Sequence, residues 1–222
     1  MFDNISGKYD FLNHTLSLGI DRGWRKKALK KIKISEVRHL LDIATGTGDF
    51  AIAAKKSGCE QVTGIDISNG MLEVGREKVM KLGMQQSVTL TYGDSEQMPF
   101  PDNTFDAITV AFGVRNFEHL DRGLAEMFRV LKSGGTAVVL EFSKPSAFPI
   151  KQFYGFYFNQ ILPRLGKAVS GDNAAYSYLP ESVNAFPEGE AFIGKLKDAG
   201  FTNCTTERVT FGIASIYTGM KK

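Results

Sequence analysis

The chain has 222 residues, of which 43% are hydrophobic, 11% aromatic and 23% charged, a composition that fits one globular domain and excludes a disordered chain. Its 27 Lys and Arg against 24 Asp and Glu give a net charge of +3, too small by itself to imply a nucleic-acid partner. No stretch reaches the roughly 18 apolar residues that span a bilayer, residues 1–35 contain no signal-peptide core, and Cys59 and Cys204 lie outside any CxxC spacing, so a cytoplasmic protein without disulfides is expected.

The charge is unevenly spread along the chain. Arg22, Arg25, Lys26, Lys27, Lys30, Lys31 and Lys33 fall together with no acid among them, which leaves the rest of the chain net acidic. Trp24, Ala28, Leu29 and Ile32 sit among these cations at near-helical spacing. Residues 1–35 therefore read as a helical cap, and Arg22 to Lys33 as a basic amphipathic helix able to touch an anionic membrane surface transiently. A solvated charged face explains the same run equally well.

From Val37 onward short β-type runs alternate with helical segments, the pattern of βαβ units on a parallel sheet. The first strand is expected from Val37 to Ile43, then a helix from Gly48 to Ser57 and a second strand from Glu60 to Asp66. Ser68 is placed to N-cap a helix that Gly83 ends. Strands follow at Val88 to Tyr92 and Phe105 to Phe112, a helix at Leu120 to Leu131, and a strand from Thr136 to Phe142 after a turn at Gly134-Gly135. Residues 145–185, with aromatic Phe153, Tyr154, Phe156, Tyr157 and Phe158, read as an insertion on the substrate side. A helix at Glu188 to Ala199 precedes two strands, Asn203 to Thr210 and Ile213 to Thr218, whose short Phe211-Gly212 connection predicts an antiparallel pair. The whole chain, residues 1–222, is expected to be one α/β domain with a doubly wound, mostly parallel sheet and an antiparallel C-terminal strand.

The run Asp42-Ile43-Ala44-Thr45-Gly46-Thr47-Gly48-Asp49 puts small residues at the carboxyl end of the first strand, where open α/β sheets bind ligands. Gly46, Gly48 and Ala51 also satisfy a loose dinucleotide fingerprint, so an NAD-dependent oxidoreductase is a rival reading. A pyrophosphate at this helix N-terminus would meet the carboxylate of Asp49. S-adenosyl-L-methionine has no phosphate and carries a sulfonium and an ammonium, to which Asp42 and Asp49 are attractive. Asp66, ending the second strand, is placed to accept from both ribose hydroxyls, with Met71 packing on adenine. Asp94 and Ser95, after the third strand, are placed at the adenine edge with Met98; a plain turn at Gly93-Asp94-Ser95 is the simpler explanation of those residues alone.

Beyond these residues the chain resembles the menaquinone and ubiquinone biosynthesis C-methyltransferases over almost its full length. Phe2-Asp3, Tyr9-Asp10, Asn13, Leu16-Ser17, Gly19 and Trp24-Arg25 are similar to that family's first signature. Arg129-Val130-Leu131-Lys132, Gly134-Gly135 and Glu141-Phe142-Ser143-Lys144-Pro145 are similar to its second. Phe112-Gly113-Val114-Arg115-Asn116, Leu162-Pro163-Arg164 and Tyr178-Leu179-Pro180-Glu181-Ser182 match as well. Asp21 stands where the family often has His, and Ala44 where it often has Gly.

The resemblance implies a class I methyltransferase Rossmann-like fold, with Thr47, Asp66, Asp94 and Ser95 on the cofactor S-adenosyl-L-methionine. It also implies methylation of a ring carbon of a polyprenylated hydroquinone, demethylmenaquinol first and a polyprenyl-benzoquinol as the alternative. Such a carbon attacks once a neighbouring hydroxyl is deprotonated, so the protein must align the ring and stabilise a phenolate. Arg115 is the first choice for that task, with Asn116 on the second oxygen and Tyr9 and Asp10 closing over the ring; Tyr178 and Glu181 are further candidates. A structural ion pair of Arg115 with Asp106 or Asp10 competes with the catalytic role. No metal is expected, since His14, His39 and His119 lack ligand spacing. Oligomeric state, including a homodimer, stays open, and peripheral attachment at the inner face of the cell membrane would suit a lipid-tailed substrate.

Overall fold

The computed structural model describes residues 19–156 and 180–222. Seven strands form one sheet in the order β3-β2-β1-β4-β5-β7-β6. In chain order the elements are α1 (Ile20–Leu29), β1 (His39–Ile43), α2 (Asp49–Lys56), β2 (Gln61–Asp66), α3 (Asn69–Lys81), β3 (Val88–Tyr92), β4 (Phe105–Ala111), α4 (Leu120–Val130), β5 (Leu131–Phe142), α5 (Ile150–Phe156), α6 (Glu190–Asp198), β6 (Thr202–Val209) and β7 (Ala214–Met220). Strands β1 to β5 pair in parallel, while β7 lies antiparallel between β5 and β6. The expected doubly wound sheet and its antiparallel C-terminal pair are both present.

Alternation along the strands divides the core between two faces. Leu40, Ala107, Val138 and Leu140 point to one side, where they pack with Trp24 and Ala28 of α1, Phe50 of α2 and Leu72 of α3. Leu41, Ile108, Val110 and Val139 point to the other, against Leu124 and Met127 of α4 and Phe192 and Leu196 of α6. Helix α3 starts as expected: the Ser68 hydroxyl accepts from the backbone N–H of Met71 at 3.3 Å. Strand β5 differs from its expected start at Thr136, because Leu131 already pairs with Phe105 and the register slips before Ala107 meets Thr136. The two glycines are absorbed as a bulge instead of ending the strand.

Helix α1 lies on the sheet through its apolar face. Trp24 is buried, donates from Nε1 to the Thr210 hydroxyl at 2.7 Å, and meets the rings of Phe112 and Phe142. That face is thereby committed to the protein interior and is not available to lie in lipid. Of the basic run, Arg25 pairs with Asp21, and Lys27 and Lys31 both pair with Glu207, whose carboxyl they hold down to about 2. The exposed cations with no ion pair to another described residue are Arg22, Lys26 and Lys30. Among the described residues no helix is long and apolar enough to cross a membrane.

Strand order reverses between β1 and β4, and the two loops leaving their carboxyl ends approach closely. Ala44 takes a left-handed φ of 51°, and a Cβ built on Gly113 would stand 2.4 Å from the Ala44 Cβ. Only a glycine at 113 lets both loops occupy this point. Replacing Gly113→Ala should therefore destabilise by about 1–3 kcal/mol, and adding Ala44→Gly should recover most of that loss. Urea unfolding of the two single variants and the double variant reads the coupling.

Candidate functional site

The reversal point opens a cavity at the carboxyl ends of β1, β2 and β4, where open sheets of this kind bind ligands. A larger lobe of about 250 Å³ is bounded by Asp66, Met71, Asp94 and Ser95 on one side and by Gly113, Asn116 and Glu118 on the other. A smaller lobe of about 40 Å³ lies beneath α1 between Arg25, Asp42, Thr45, Thr47 and Asp49. Ala44, Gly46, Ala111 and Phe112 line both. Together the lobes approach the ~300 Å³ at which small-molecule sites begin.

Gly46 and Gly48 both have positive φ, 55° and 80°, which turns the chain sharply from β1 into α2. The turn is locked to β2: the Gly46 N–H donates to Asp66 Oδ2 at 2.8 Å, and the Ser68 N–H donates to Oδ1 at 2.9 Å. Asp66 is thus aimed at the cavity by two backbone donors on its far side. Asp94 is exposed and accepts from the Glu96 N–H at 2.8 Å, an Asx-type turn that leaves it and Ser95 on the cavity wall.

Asp42 is buried, with Thr45 and Thr109 hydroxyls donating to its two oxygens at 2.6 and 2.7 Å. Burial raises its carboxyl to about 6, against the lowering effect of the two hydroxyls and of Arg25. Thr47 is also buried, and its hydroxyl accepts from Lys78 Nζ at 2.9 Å. Lys78 further donates to Asp49 Oδ1 at 2.8 Å. This pairing offsets the charge of Asp49 and weakens the expectation that Asp49 alone would repel a pyrophosphate.

Two expected positions, Met98 and Arg115, differ from the structure. Met98 is a core residue whose N–H donates to Glu126 Oε2, and it is not among the described residues that line the larger lobe. Arg115 is nearly buried: Nη1 donates to Glu141 Oε1 at 2.7 Å and to the Phe112 carbonyl at 2.5 Å, and Nε donates to the Ser182 hydroxyl at 3.3 Å. Its ion-pair partner is Glu141 on the neighbouring strand, since Asp106 is taken up by Lys132 and by the N–H groups of Arg38 and His39. Arg115 is not among the described residues that line either lobe, whereas Asn116, one residue on, lines the larger. Glu181 is exposed. Tyr9, Asp10 and Tyr178 lie outside the described residues, as do Tyr157 and Phe158 of the aromatic run.

Sequence reasoning did not place Arg25, Glu141 or Lys78 at the site. Arg25 stood in the basic run and in the first signature, and its spacing of four from Asp21 on one helix face was the available signal. Glu141 and Lys78 meet their partners only through strand pairing and helix docking.

A glycine turn into a helix, with carboxylates ending β1 and β2 and an Asx turn after β3, defines a class I methyltransferase that uses S-adenosyl-L-methionine. The chain belongs to the ubiE/COQ5 methyltransferase family, which it matches over residues 1–221. A demethylmenaquinone methyltransferase of Bacteroides fragilis is 52% identical over 222 residues, covering 100% of this chain and 91% of that protein. The ubiquinone/menaquinone biosynthesis C-methyltransferase UbiE of Geotalea daltonii is 46% identical over 223 residues, covering 100% and 94%. The crystal structure of a SAM-dependent methyltransferase from Aquifex aeolicus is similar with a TM-score of 0.65 at 25% identity, over 89% of each chain. These relationships give no support to the oxidoreductase alternative. The residues present fit the cofactor: Asp66, oriented by two backbone N–H groups, lines the larger lobe, and a buried Arg25 Nε without a hydrogen-bond partner borders the smaller one.

Asp42 titrates higher in the folded than in the unfolded chain, so its contribution to stability is favourable in acid and is lost as pH rises through about 6. Ionised at pH 7.5, it costs about 3 kcal/mol. Asp42→Asn should accordingly raise the denaturation midpoint at pH 7.5, with the gain shrinking toward pH 4, while weakening cofactor binding at pH 7.5. Arg115→Ala strands the buried Glu141 carboxylate and should destabilise by about 3–5 kcal/mol; the paired variant Arg115→Met with Glu141→Gln should unfold at higher denaturant than Arg115→Ala.

Proposed function

We propose that this chain methylates a ring carbon of a polyprenylated hydroquinone, converting demethylmenaquinol to menaquinol. The observation that carries the reading furthest is one cavity that joins the carboxylate wall at Asp66 to the loop after β4 at Asn116, in a chain related over its full length to a demethylmenaquinone methyltransferase. S-adenosyl-L-methionine supplies an electrophilic methyl group on a sulfonium.

The chain's own residues supply alignment. Asp66 accepts from the ribose hydroxyls, with its carboxylate oriented by the Gly46 and Ser68 N–H groups. Met71 packs against the base, and Asp94 and Ser95 meet the adenine edge at the end of the larger lobe. Gly46, Thr47 and Gly48 form the turn beside the methionine portion, and Asp42 attracts its ammonium. Asn116 donates its amide to a quinol oxygen, which favours the phenolate that makes the ring carbon nucleophilic.

Arg115 acts through position. Its pair with Glu141 and its bond to the Phe112 carbonyl fix the loop that presents Asn116, and the Ser182 bond fastens that loop to the end of the insertion. Tyr9 and Asp10 are assigned to close over the ring from the cap.

Incubation with methyl-labelled cofactor and short-chain demethylmenaquinol or its benzoquinol counterpart, with the products identified by mass spectrometry, tests the reading. Ring-methylated naphthoquinol is expected as the main product. Asn116→Ala should lower kcat by about 100- to 1,000-fold with adenosylhomocysteine affinity unchanged. Cofactor binding with no methylated quinol from either substrate would reject the assignment.

A further inference from the structure

The smaller lobe of the cavity is roofed by α1, and Arg25 is its cationic lining side chain among the described residues. The guanidinium is already held from the protein side: Nη1 pairs with Asp21 one helical turn earlier, and Cζ stands 5.8 Å from the centre of the Phe112 ring. Its Nε is buried and has no hydrogen-bond partner. A charged donor fixed in this way and left unsatisfied beside a cavity is suited to an anionic oxygen entering that cavity.

The other charges of the lobe are committed or of opposite sign. Lys78 is engaged by Thr47 and Asp49, and Asp42 holds a carboxylate tied by two hydroxyls. Asp66, Asp94 and Ser95 all bound the larger lobe, so an adenosine seated there directs the amino-acid end of the cofactor into the smaller one. That end is a zwitterion. Its ammonium suits Asp42, whereas its carboxylate would be repelled by Asp42 and Asp49 unless a cation answers it.

We propose that Arg25 binds the α-carboxylate of the cofactor's methionine portion, which makes the cap helix a wall of the cofactor site. The proposal rests on the S-adenosyl-L-methionine reading and deepens it. It gives α1 a task beyond covering the sheet: ligand binding and docking of the cap stabilise one another, because the same helix carries Trp24 into the core and Arg25 to the ligand.

The test compares ligands that differ by the carboxylate. Isothermal titration with S-adenosylhomocysteine, with decarboxylated S-adenosylmethionine, which keeps the ammonium, and with 5′-methylthioadenosine, which lacks the whole amino-acid end, requires no turnover. Because Arg25 is an ion-pair partner of the buried Asp21, the variant is Arg25→Gln with Asp21→Asn, measured beside Asp21→Asn alone and Arg25→Lys. The double variant should bind adenosylhomocysteine about 10- to 100-fold more weakly and the two carboxylate-free ligands within twofold of the parent. Asp21→Asn alone should leave all three affinities near the parent, and Arg25→Lys should lose several-fold for adenosylhomocysteine only. Equal losses for all ligands, or no loss for adenosylhomocysteine, would overturn the proposal. A parent protein that binds 5′-methylthioadenosine and adenosylhomocysteine equally well would overturn it too, and one that binds none of the three would overturn the cofactor reading beneath it.

Discussion

The buried carboxylate of Asp42 ties together the two strands between which the sheet reverses. It belongs to β1, and one of its oxygens takes the hydroxyl of Thr109 on β4 while the other takes that of Thr45 in the turn. The cavity exists because the chain leaves these two strands in opposite directions, and Asp42 fixes the spacing at that point. A threonine pair bonded to an amide or to a neutral acid would hold the strands as well, without the desolvation of a charge. Retaining a carboxylate whose ionisation burial opposes is therefore poor economy for folding alone, and it makes sense beside a cationic ligand.

From this point the site is assembled by backbone donors more than by side chains. The turn after β1 hands the Gly46 N–H to Asp66, the cap of α3 hands it the Ser68 N–H, and Asp66 so oriented lines the cavity. The same economy appears after β4, where the Phe112 carbonyl receives Arg115, and Gly113 allows that loop to touch Ala44. Polar groups held by short local bonds lose little freedom when a ligand arrives, which is the form preorganisation takes here.

Much of this was legible in the sequence. Strand β3 occupies Val88–Tyr92, as its short β-branched run between a loop and Gly93 indicates, and Ser68 caps the helix that its spacing marks. Asp66, Met71, Asp94 and Ser95 all reach the cavity because strand ends in a parallel sheet are brought to one edge by topology alone. What stayed hidden depended on contacts between elements. Met98 follows Asp94 and Ser95 closely in the chain, yet Glu126 on α4 takes its N–H and draws it into the core. The bulge in β5 hides behind Gly134-Gly135, a pair that ordinarily ends a strand. Arg115 finds Glu141 because β4 and β5 are neighbours, a fact no local spacing contains.

The second family signature takes on a physical meaning in these terms. Arg129 donates to Glu126 and Asp102 and to the carbonyls of Met98 and Phe100, fastening the loop that follows the Asp94 turn. Lys132 binds Asp106, Glu141 binds Arg115, and the Ser143 hydroxyl donates to the Gly212 carbonyl in the turn between β6 and β7. These second-signature residues thus stiffen loops around the cavity and are not among the described residues that line its two lobes. That is the arrangement expected of a reaction in which the electrophile is carried by the cofactor and the nucleophile by an ionised ring. Such a reaction is limited by how well the two are aligned, and alignment is specified by the residues that hold loops still. Neutralising Arg115 with Glu141 carries the same logic further. The guanidinium is engaged by Glu141 and by the Phe112 carbonyl, and both bonds hold the loop after β4.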